Sequence, residues 1–306
     1  MSIFTVILTV IGLCLFEIVS SIDNAVVNAD VLATMKPKWR NWFLFWGIIF
    51  GVFLIRGLLP WLIVWLTNMN LGVWGSLTAA YSSDPLVKES FVRSSPYLML
   101  AGGIFLVFLF CHWLFLERKN YSLFFEKFCV QQGVWFFAIV SFLLTGLIWE
   151  ALKIDPYLAL AAAIGSTAFF VVYGFREQAE KGEKMLTAND PGFSDISKLI
   201  YLEVLDATFS IDGVVGAFAF TLYIPLILIG NGLGAIIVRE LTIKGVDQIK
   251  NYVYLKNGAM YSILCLGIIM ILESYGLEVP VWTSPVITIL VVGYFLLRSI
   301  WEKKTL

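Results

Sequence analysis

FEIVSSIDNAVVNA (Phe16–Ala29) and LEVLDATFSIDGVVGA (Leu202–Ala217) place the same acidic phrase inside two apolar stretches. Glu17 precedes Asp23 by six residues, Asp206 precedes Asp212 by six, and Ser-Ile-Asp closes both copies at 21–23 and 210–212. Glu203 adds a third acid one turn before Asp206. A carboxylate at the centre of a bilayer costs about 2.5–3.5 kcal/mol on insertion scales, so such residues face a polar interior and mark ion or proton paths. At 100° per residue, Glu17, Ser21, Asn24 and Asn28 share one helix face, as do Asp206, Ser210, Gly213 and Ala217. Asp23 and Asp212 lie about 120° off those stripes. A straight helix cannot aim all these acids at one point. Either the helices unwind near Ser-Ile-Asp, helped by the poor helix formers Asn24 and Gly213, or only a subset of these acids binds.

The surroundings of the two phrases fix the class. Hydrophobic residues make up 59% of the 306, charged residues only 14%, and mean hydropathy is +0.86. Soluble domains are nearer one quarter charged. Stretches of about 20 apolar residues cross the hydrocarbon core. Nine are expected: 3–26, 42–67, 97–116, 134–151, 156–174, 197–223, 225–243, 258–274 and 283–301, with Pro225 separating the sixth from the seventh. The fold expected is an all-α polytopic membrane protein in the cytoplasmic membrane, in contact with lipid along most of its length.

Charge placement orients the chain. With the N-terminus outside, 16 of the 21 Lys and Arg residues fall in inner segments, including Lys36, Arg118, Arg176, Lys198 and Arg298. Only Lys88, Arg93 and Lys153 fall outside, while Arg56 and Arg239 sit within spans. Lys/Arg bias in short loops sets topology, so N-out and C-in is expected. The first 30 residues lack a basic n-region and read as a retained helix rather than a cleaved signal. Cys14, Cys111, Cys129 and Cys265 are scattered, without a C-x-x-C pair, and are expected to be free.

The repeat extends past the acids. Gly47-x3-Gly51-x4-Arg56 follows the first copy and Gly230-x3-Gly234-x4-Arg239 the second; Tyr97-Leu98 and Tyr254-Leu255 come next in order. Within a single transmembrane domain (1–306), residues 1–117 form one repeat and 197–275 the other. Residues 118–196 are linking spans and a cytoplasmic loop, solvated over 175–196, and 276–306 are a final span. Spans 1–3 and 6–8 then run in opposite senses, and inverted repeats place a transport site where the halves meet. The glycine pairs are expected to serve close helix packing.

Five embedded acids face two arginines. Arg56 and Arg239 are each expected to hold one carboxylate, leaving the rest to bind a cation in exchange for protons, because unpaired buried charge is not tolerated. Carboxylate, amide and hydroxyl oxygens suit Mn²⁺, Ca²⁺ or Mg²⁺. The single histidine, His112, reads as packing, and Cys14 is the one soft atom near Glu17. A purely structural reading, helix-locking ion pairs, explains two acids well and five poorly. No hydrolase, metalloprotease or P-loop motif is present, and nothing suggests nucleic-acid binding or a permanent cofactor.

The phrases EIVSSIDN (17–24), Gly47 through Arg56, EVLDATFSID (203–212) and Gly230-Asn231 through Arg239 resemble the TerC family of integral membrane proteins, named for tellurium resistance and similar to the lysine-exporter superfamily. The closest likeness is to a divergent branch of unassigned function. The resemblance implies export of Mn²⁺ or related metal handling. It assigns Glu17, Asp23, Asn24, Asp206 and Asp212 to the acidic core and Asn231, Arg56 and Arg239 to positions around it. The family's D-S-x-P-A reads Asp212-Gly-Val-Val-Gly-Ala217 here, without the hydroxyl and the proline.

The expectation is a non-enzymatic secondary transporter that exports a divalent cation, Mn²⁺ first, coupled to protons. Glu17, Asp23, Asp206, Asp212 and Glu203 would act as ligands or proton carriers, and Asn24, Ser21 and Ser210 as neutral ligands. Two alternatives stay open. One is a non-transporting scaffold for metal loading or tellurium resistance; the other is an amino-acid-type exporter. A homo-oligomer is compatible with either.

Overall fold

Both acid-bearing helices begin in the same way. Ser2 and Ser194 sit in extended conformation, and each hydroxyl accepts from the backbone N–H three residues on, at Thr5 and Ser197. That is the serine N-cap, which satisfies one of the orphan donors of the first turn. The helices so started are α1 (Ile3–Ser20) and α10 (Asp195–Ala217).

The computed structural model describes residues 2–50, 56–67, 72–78, 85–117, 119, 123–187, 194–244 and 252–305. Among them the other helices are α2 (Ile22–Ala33), α3 (Pro37–Ile48), α4 (Arg56–Thr67), α5 (Gly72–Thr78), α6 (Pro85–Leu116), α7 (Phe124–Gln131), α8 (Trp135–Ile154), α9 (Pro156–Thr187), α11 (Ile224–Lys244), α12 (Leu255–Ser274) and α13 (Thr283–Thr305). The described residues contain no strand. Gly51 and Arg118 lie outside them.

Among the described residues seven helices are long and apolar enough to cross a membrane: Ile3–Ser20, Val92–Leu116, Trp135–Ile154, Pro156–Gln178, Ile224–Thr242, Leu255–Ser274 and Thr283–Glu302. The chain is therefore a polytopic helical membrane protein. Two of the nine expected stretches, 42–67 and 197–223, are not among the seven. The first is described as two short pieces, α3 and α4, on either side of residues 51–55. The second is helical over 23 residues, but the acids that single it out also lower its apolarity. Burial compensates: α10 packs against α1, α2, α3, α4, α6, α9, α11 and α12. Its acids are thereby screened from lipid, the arrangement that such residues require.

The core is built on α6, which packs against both α9 and α12. Leu100, Ile104, Phe105, Phe108, Leu266 and Met270 lie within it, each at most 3% exposed. The α6–α12 contact is unusually close. A Cβ added at Gly103 would stand 2.8 Å from the carbonyl oxygen of Gly267, and one added at Gly267 would stand 3.0 Å from that of Gly103. Backbones meet there directly, as small residues permit in membrane helix pairs. On the other side α1 packs against α11 and α13. By contrast α8 is peripheral, exposing Phe142, Trp149 and Leu152, a face suited to lipid.

The helix does not unwind at both acidic phrases. It breaks once, at Ser21, whose φ and ψ are −93° and 3°, whereas α10 runs unbroken through Ser210, Asp212 and Gly213. The connector at 175–196 is helical as far as Thr187. The segment 68–95 contains the short helix α5, and α6 begins as early as Pro85, a residue well suited to a first helical turn.

Candidate functional site

The break at Ser21 lies one turn beyond Glu17. The Ser21 N–H closes α1 on the Glu17 carbonyl at 3.1 Å, and the Ser21 hydroxyl donates to Glu17 Oε1 at 2.8 Å. Glu17 itself is wholly buried. Arg56, the first residue of α4 and 2% exposed, donates to the same Oε1 from Nε at 2.9 Å and from Nη2 at 2.7 Å. Three donors thus converge on one carboxylate oxygen, and Glu17 Oε2 has no hydrogen-bond partner.

Arg56 also reaches the second phrase, with Nη1 3.6 Å from Asp206 Oδ2. Asp206 is better served than Glu17. Asn24 donates to its Oδ1 at 2.6 Å, and Arg239 Nη2 donates to its Oδ2 at 3.2 Å. Arg239 is held in turn by the Phe43 carbonyl at 3.0 Å and lies 4.6 Å from the Phe43 ring centroid. Its Nη2 stands 3.9 Å from Glu203 Oε2. The result is an alternating chain, Glu17–Arg56–Asp206–Arg239–Glu203, drawn from α1, α4, α10 and α11. The Arg56–Glu17 and Arg239–Asp206 links are charge-assisted hydrogen bonds, and the Arg56–Asp206 and Arg239–Glu203 links are longer ion pairs, all in a low-dielectric setting.

The glycines shape this chain. A Cβ at Gly47 would collide with both the Arg239 guanidinium and Glu203, so its role is to let Arg239 pass rather than to pair helices alone. Gly234 allows α11 to lie on α1, its Cβ position being 2.6 Å from Glu17 Cβ and 2.8 Å from the Cys14 carbonyl. Gly230 does the same against Leu13. Gly51 lies outside the described residues.

Asp212 belongs elsewhere. Arg176, near the middle of α9, donates to its Oδ2 at 2.7 Å. Sequence reasoning placed Arg176 in a solvated loop and so missed this pair. The surplus of acids over buried arginines was the signal that a third arginine had to be near. Asp23 lies in α2, with its side chain outside what is described. Ser210 is buried, but its hydroxyl donates to the Asp206 carbonyl at 2.6 Å, so its proton is taken by its own helix, a local back-bond open to serine in helices. Asn231, fully buried on α11, donates to the Gly213 carbonyl at 3.3 Å. His112 packs 4.3 Å from Tyr173, with Phe136 and Phe169 beside it. All four cysteines are free.

What remains is a surplus of acceptors. Glu17 Oε2, both Glu203 oxygens, Asp212 Oδ1 and the amide oxygens of Asn24, Asn28 and Asn231 are buried without a hydrogen-bond donor. Buried polar groups are normally satisfied, and each exception calls for a physical explanation. Among the described residues no three His, Cys, Asp or Glu side chains are grouped as metal ligands; arginines stand between the acids. The network is a charge-alternating chain rather than a preformed metal cage.

A cavity of about 680 Å³ opens beyond the end of α10, lined by Ser95, Met99, Phe220, Glu273, Glu278 and Ser284 among others. Phe220 meets Phe16 with ring centroids 5.7 Å apart. Phe16 immediately precedes Glu17 in α1.

Fold and site together define a polytopic helical membrane protein with an arginine–carboxylate network buried among its helices. Residues 22–306 match the family described as protein of unknown function DUF475, and the chain belongs to that family. No curated protein and no solved structure matches it.

Proposed function

We propose that this protein is a secondary transporter of a divalent cation, Mn²⁺ first, working by exchange with protons across the membrane in which it sits. The observation that carries this reading is the surplus of buried, donor-less oxygens flanking Arg56 and Arg239. Four oxygens from three acids (Glu17, Glu203 and Asp212) and three amide oxygens lie buried without a donor on α1, α2, α10 and α11. An oxygen-only set of this kind selects hard divalent ions. The arginines hold the place of the cargo: when the ion arrives, Arg56 gives up one or both acids, and when it leaves, Arg56 neutralises them again. This lets an empty carrier reorient without exposing bare carboxylates to lipid, whose cost would otherwise oppose the return step.

The nine-span, N-out topology and the inverted relation of residues 1–117 to 197–275 are part of the proposal. The Lys/Arg distribution, the parallel N-caps at Ser2 and Ser194, and the pairing of Glu17 with Arg56 and of Asp206 with Arg239 support them. The likeness of the acidic phrases to the TerC family supports Mn²⁺ as cargo. One observation favours a second reading, a static scaffold: Arg56 already engages both Glu17 and Asp206, which suffices to lock α1, α4 and α10 together.

Flux separates the two. Purified protein in proteoliposomes enclosing a Mn²⁺-sensitive dye is expected to pass Mn²⁺ when a pH gradient is imposed, and Asp206→Asn to abolish the signal. Wild-type vesicles that stay silent under both directions of the gradient would leave the scaffold as the answer.

A further inference from the structure

The cavity beyond the end of α10 lies apart from the arginine–carboxylate network and has walls fixed by the chain's own turns. After α10 the N–H groups of Phe218, Ala219 and Phe220 close on carbonyls three residues back at 3.3, 3.1 and 3.0 Å. α12 ends in a Schellman motif. Gly276, at φ +86°, sends its N–H to the Glu273 carbonyl at 3.0 Å, and Leu277 sends its own to the Leu272 carbonyl at 3.2 Å. That turn holds Glu273 in the last turn of α12 and brings residues 276–281 into the lining. In the first turn of α13 the Ser284 hydroxyl donates to the Ala219 carbonyl at 2.6 Å, tying two walls together.

The lining combines apolar surface with negative charge. Pro96, Met99, Phe220, Leu222 and Val279 are among its apolar residues. Glu273 and Glu278 are the only charged side chains among the described residues that line it. Glu278 is exposed and Glu273 half-buried. The Glu273 carboxylate meets no hydrogen-bond donor and no cation among the described residues. The serine hydroxyls nearby are already engaged, Ser95 with the Val92 carbonyl at 2.9 Å and Ser284 with Ala219. A partly desolvated carboxylate without a partner is costly, so the cavity is complementary to a positive group.

Size and walls say which kind. The volume of about 680 Å³ falls within the range of about 300–1,000 Å³ typical of small-molecule sites, which are likewise mostly apolar with a few polar groups. A hydrated divalent ion would set its waters against apolar walls. An anion, or the carboxylate of an amino acid, would meet no cation among the described lining residues. A positive head on an apolar body satisfies both features.

We propose that this cavity binds a monovalent organic ammonium ion, with Glu273 receiving the charge, Glu278 adding attraction from its exposed position, and the apolar walls covering the body. The site is independent of the transport reading, and proteoliposomes that pass no Mn²⁺ would leave it standing.

The test is calorimetry on the full-length chain in phosphatidylglycerol nanodiscs, with the heat of empty discs subtracted. Phenethylamine, protonated at neutral pH, is expected to bind, and its uncharged analogue 2-phenylethanol to bind at least about tenfold more weakly, as loss of a charge-assisted contact implies. Glu273→Gln should weaken phenethylamine by the same factor while leaving 2-phenylethanol binding and the melting temperature unchanged, which separates lost charge recognition from misfolding. Val281→Trp, at a lining position that is 49% exposed, should weaken both probes. Binding that is lost in phosphatidylethanolamine discs would identify a lipid headgroup as the source of the ammonium; binding that persists would identify a free amine. Equal affinity for the two probes, or a Glu273→Gln protein that binds phenethylamine like wild type, would overturn the proposal. So would Mn²⁺ that displaces phenethylamine from wild type, since the site would then be one for a metal.

Discussion

Glu17 and Asp206 occupy matching places in two matching phrases, yet their surroundings differ in three ways. The helix of Glu17 breaks four residues on, at Ser21, while that of Asp206 continues to Ala217. Donors to Glu17 crowd one oxygen, whereas donors to Asp206 are spread over both. The arginine of the first half spans both acids; that of the second is tied to the Phe43 carbonyl and ring. Asp206 is therefore the fixed centre of the network and Glu17 its incomplete end. Equal sequence positions have been given unequal tasks by single substitutions: Asn24 against Gly213, and a break against a continuous turn.

That asymmetry can be broken in graded steps. Removing Arg56 should have the largest effect, because it leaves Glu17 without its arginine and takes one of two arginines from Asp206. Leaving a buried charge unpaired costs about 3–5 kcal/mol, so Arg56→Met should cut thermal stability far more than Arg239→Met, as thermal melts in detergent would reveal. Equal losses would mean that Arg56 does not serve both acids. Gly47→Ala ranks next. It drives a methyl group into Arg239 and Glu203, and overpacking of this kind costs about 1–3 kcal/mol. Flux should fall in parallel, while an alanine at Gly146, whose Cβ position is open, changes neither.

Asn24→Ala should follow closely. A hydrogen bond to a charged group is worth about 1.5–3 kcal/mol, and Asp206 would lose the donor on Oδ1. Thermal melts in detergent should show that loss, and an Asn24→Ala protein as stable as wild type would mean that Arg239 and Arg56 alone satisfy Asp206.

The smallest effect lies away from the network, at the α8–α9 turn. Tyr97 donates to Asp155 Oδ2 at 2.5 Å and the Tyr157 N–H to Oδ1 at 2.9 Å. Those two bonds, the tyrosine first, hold the Asp155 carboxyl below its usual range. A carboxylate with a depressed folded value contributes stability above its unfolded value and loses it as pH falls through the folded one. Tyr97→Phe should therefore melt slightly lower than wild type at neutral pH, and the two profiles should converge as pH falls below about 4. Identical profiles throughout would show the contact to be energetically idle.

Much of this was legible in the sequence, and the reasons for the misses are physical. The two polar stripes, Glu17-Ser21-Asn24-Asn28 and Asp206-Ser210-Gly213-Ala217, follow from helical spacing, and the structure buries both. Spacing says which face a residue occupies but not where a helix stops, so Arg176 was assigned to a loop and the Asp212 pair stayed hidden. Breaks are equally opaque: Ser-Ile-Asp occurs twice, yet only the first copy interrupts its helix, because the neighbouring packing and not the tripeptide decides. The task of Gly47 could not be read either. A glycine adjoining a helix gives no sign of which side chain passes over it, and here that side chain lies nearly two hundred positions away.

The meeting of α6 and α12 at Gly103 and Gly267 limits how such a molecule can move. Two backbones in touch, with no side chains between them, cannot roll or slide past one another without first separating, and the α9 helix seals the same joint where Gly165 rests on Ala101. These three helices form one tightly joined block, so the movement that the proposed transport requires falls to the elements that bear the acids and arginines.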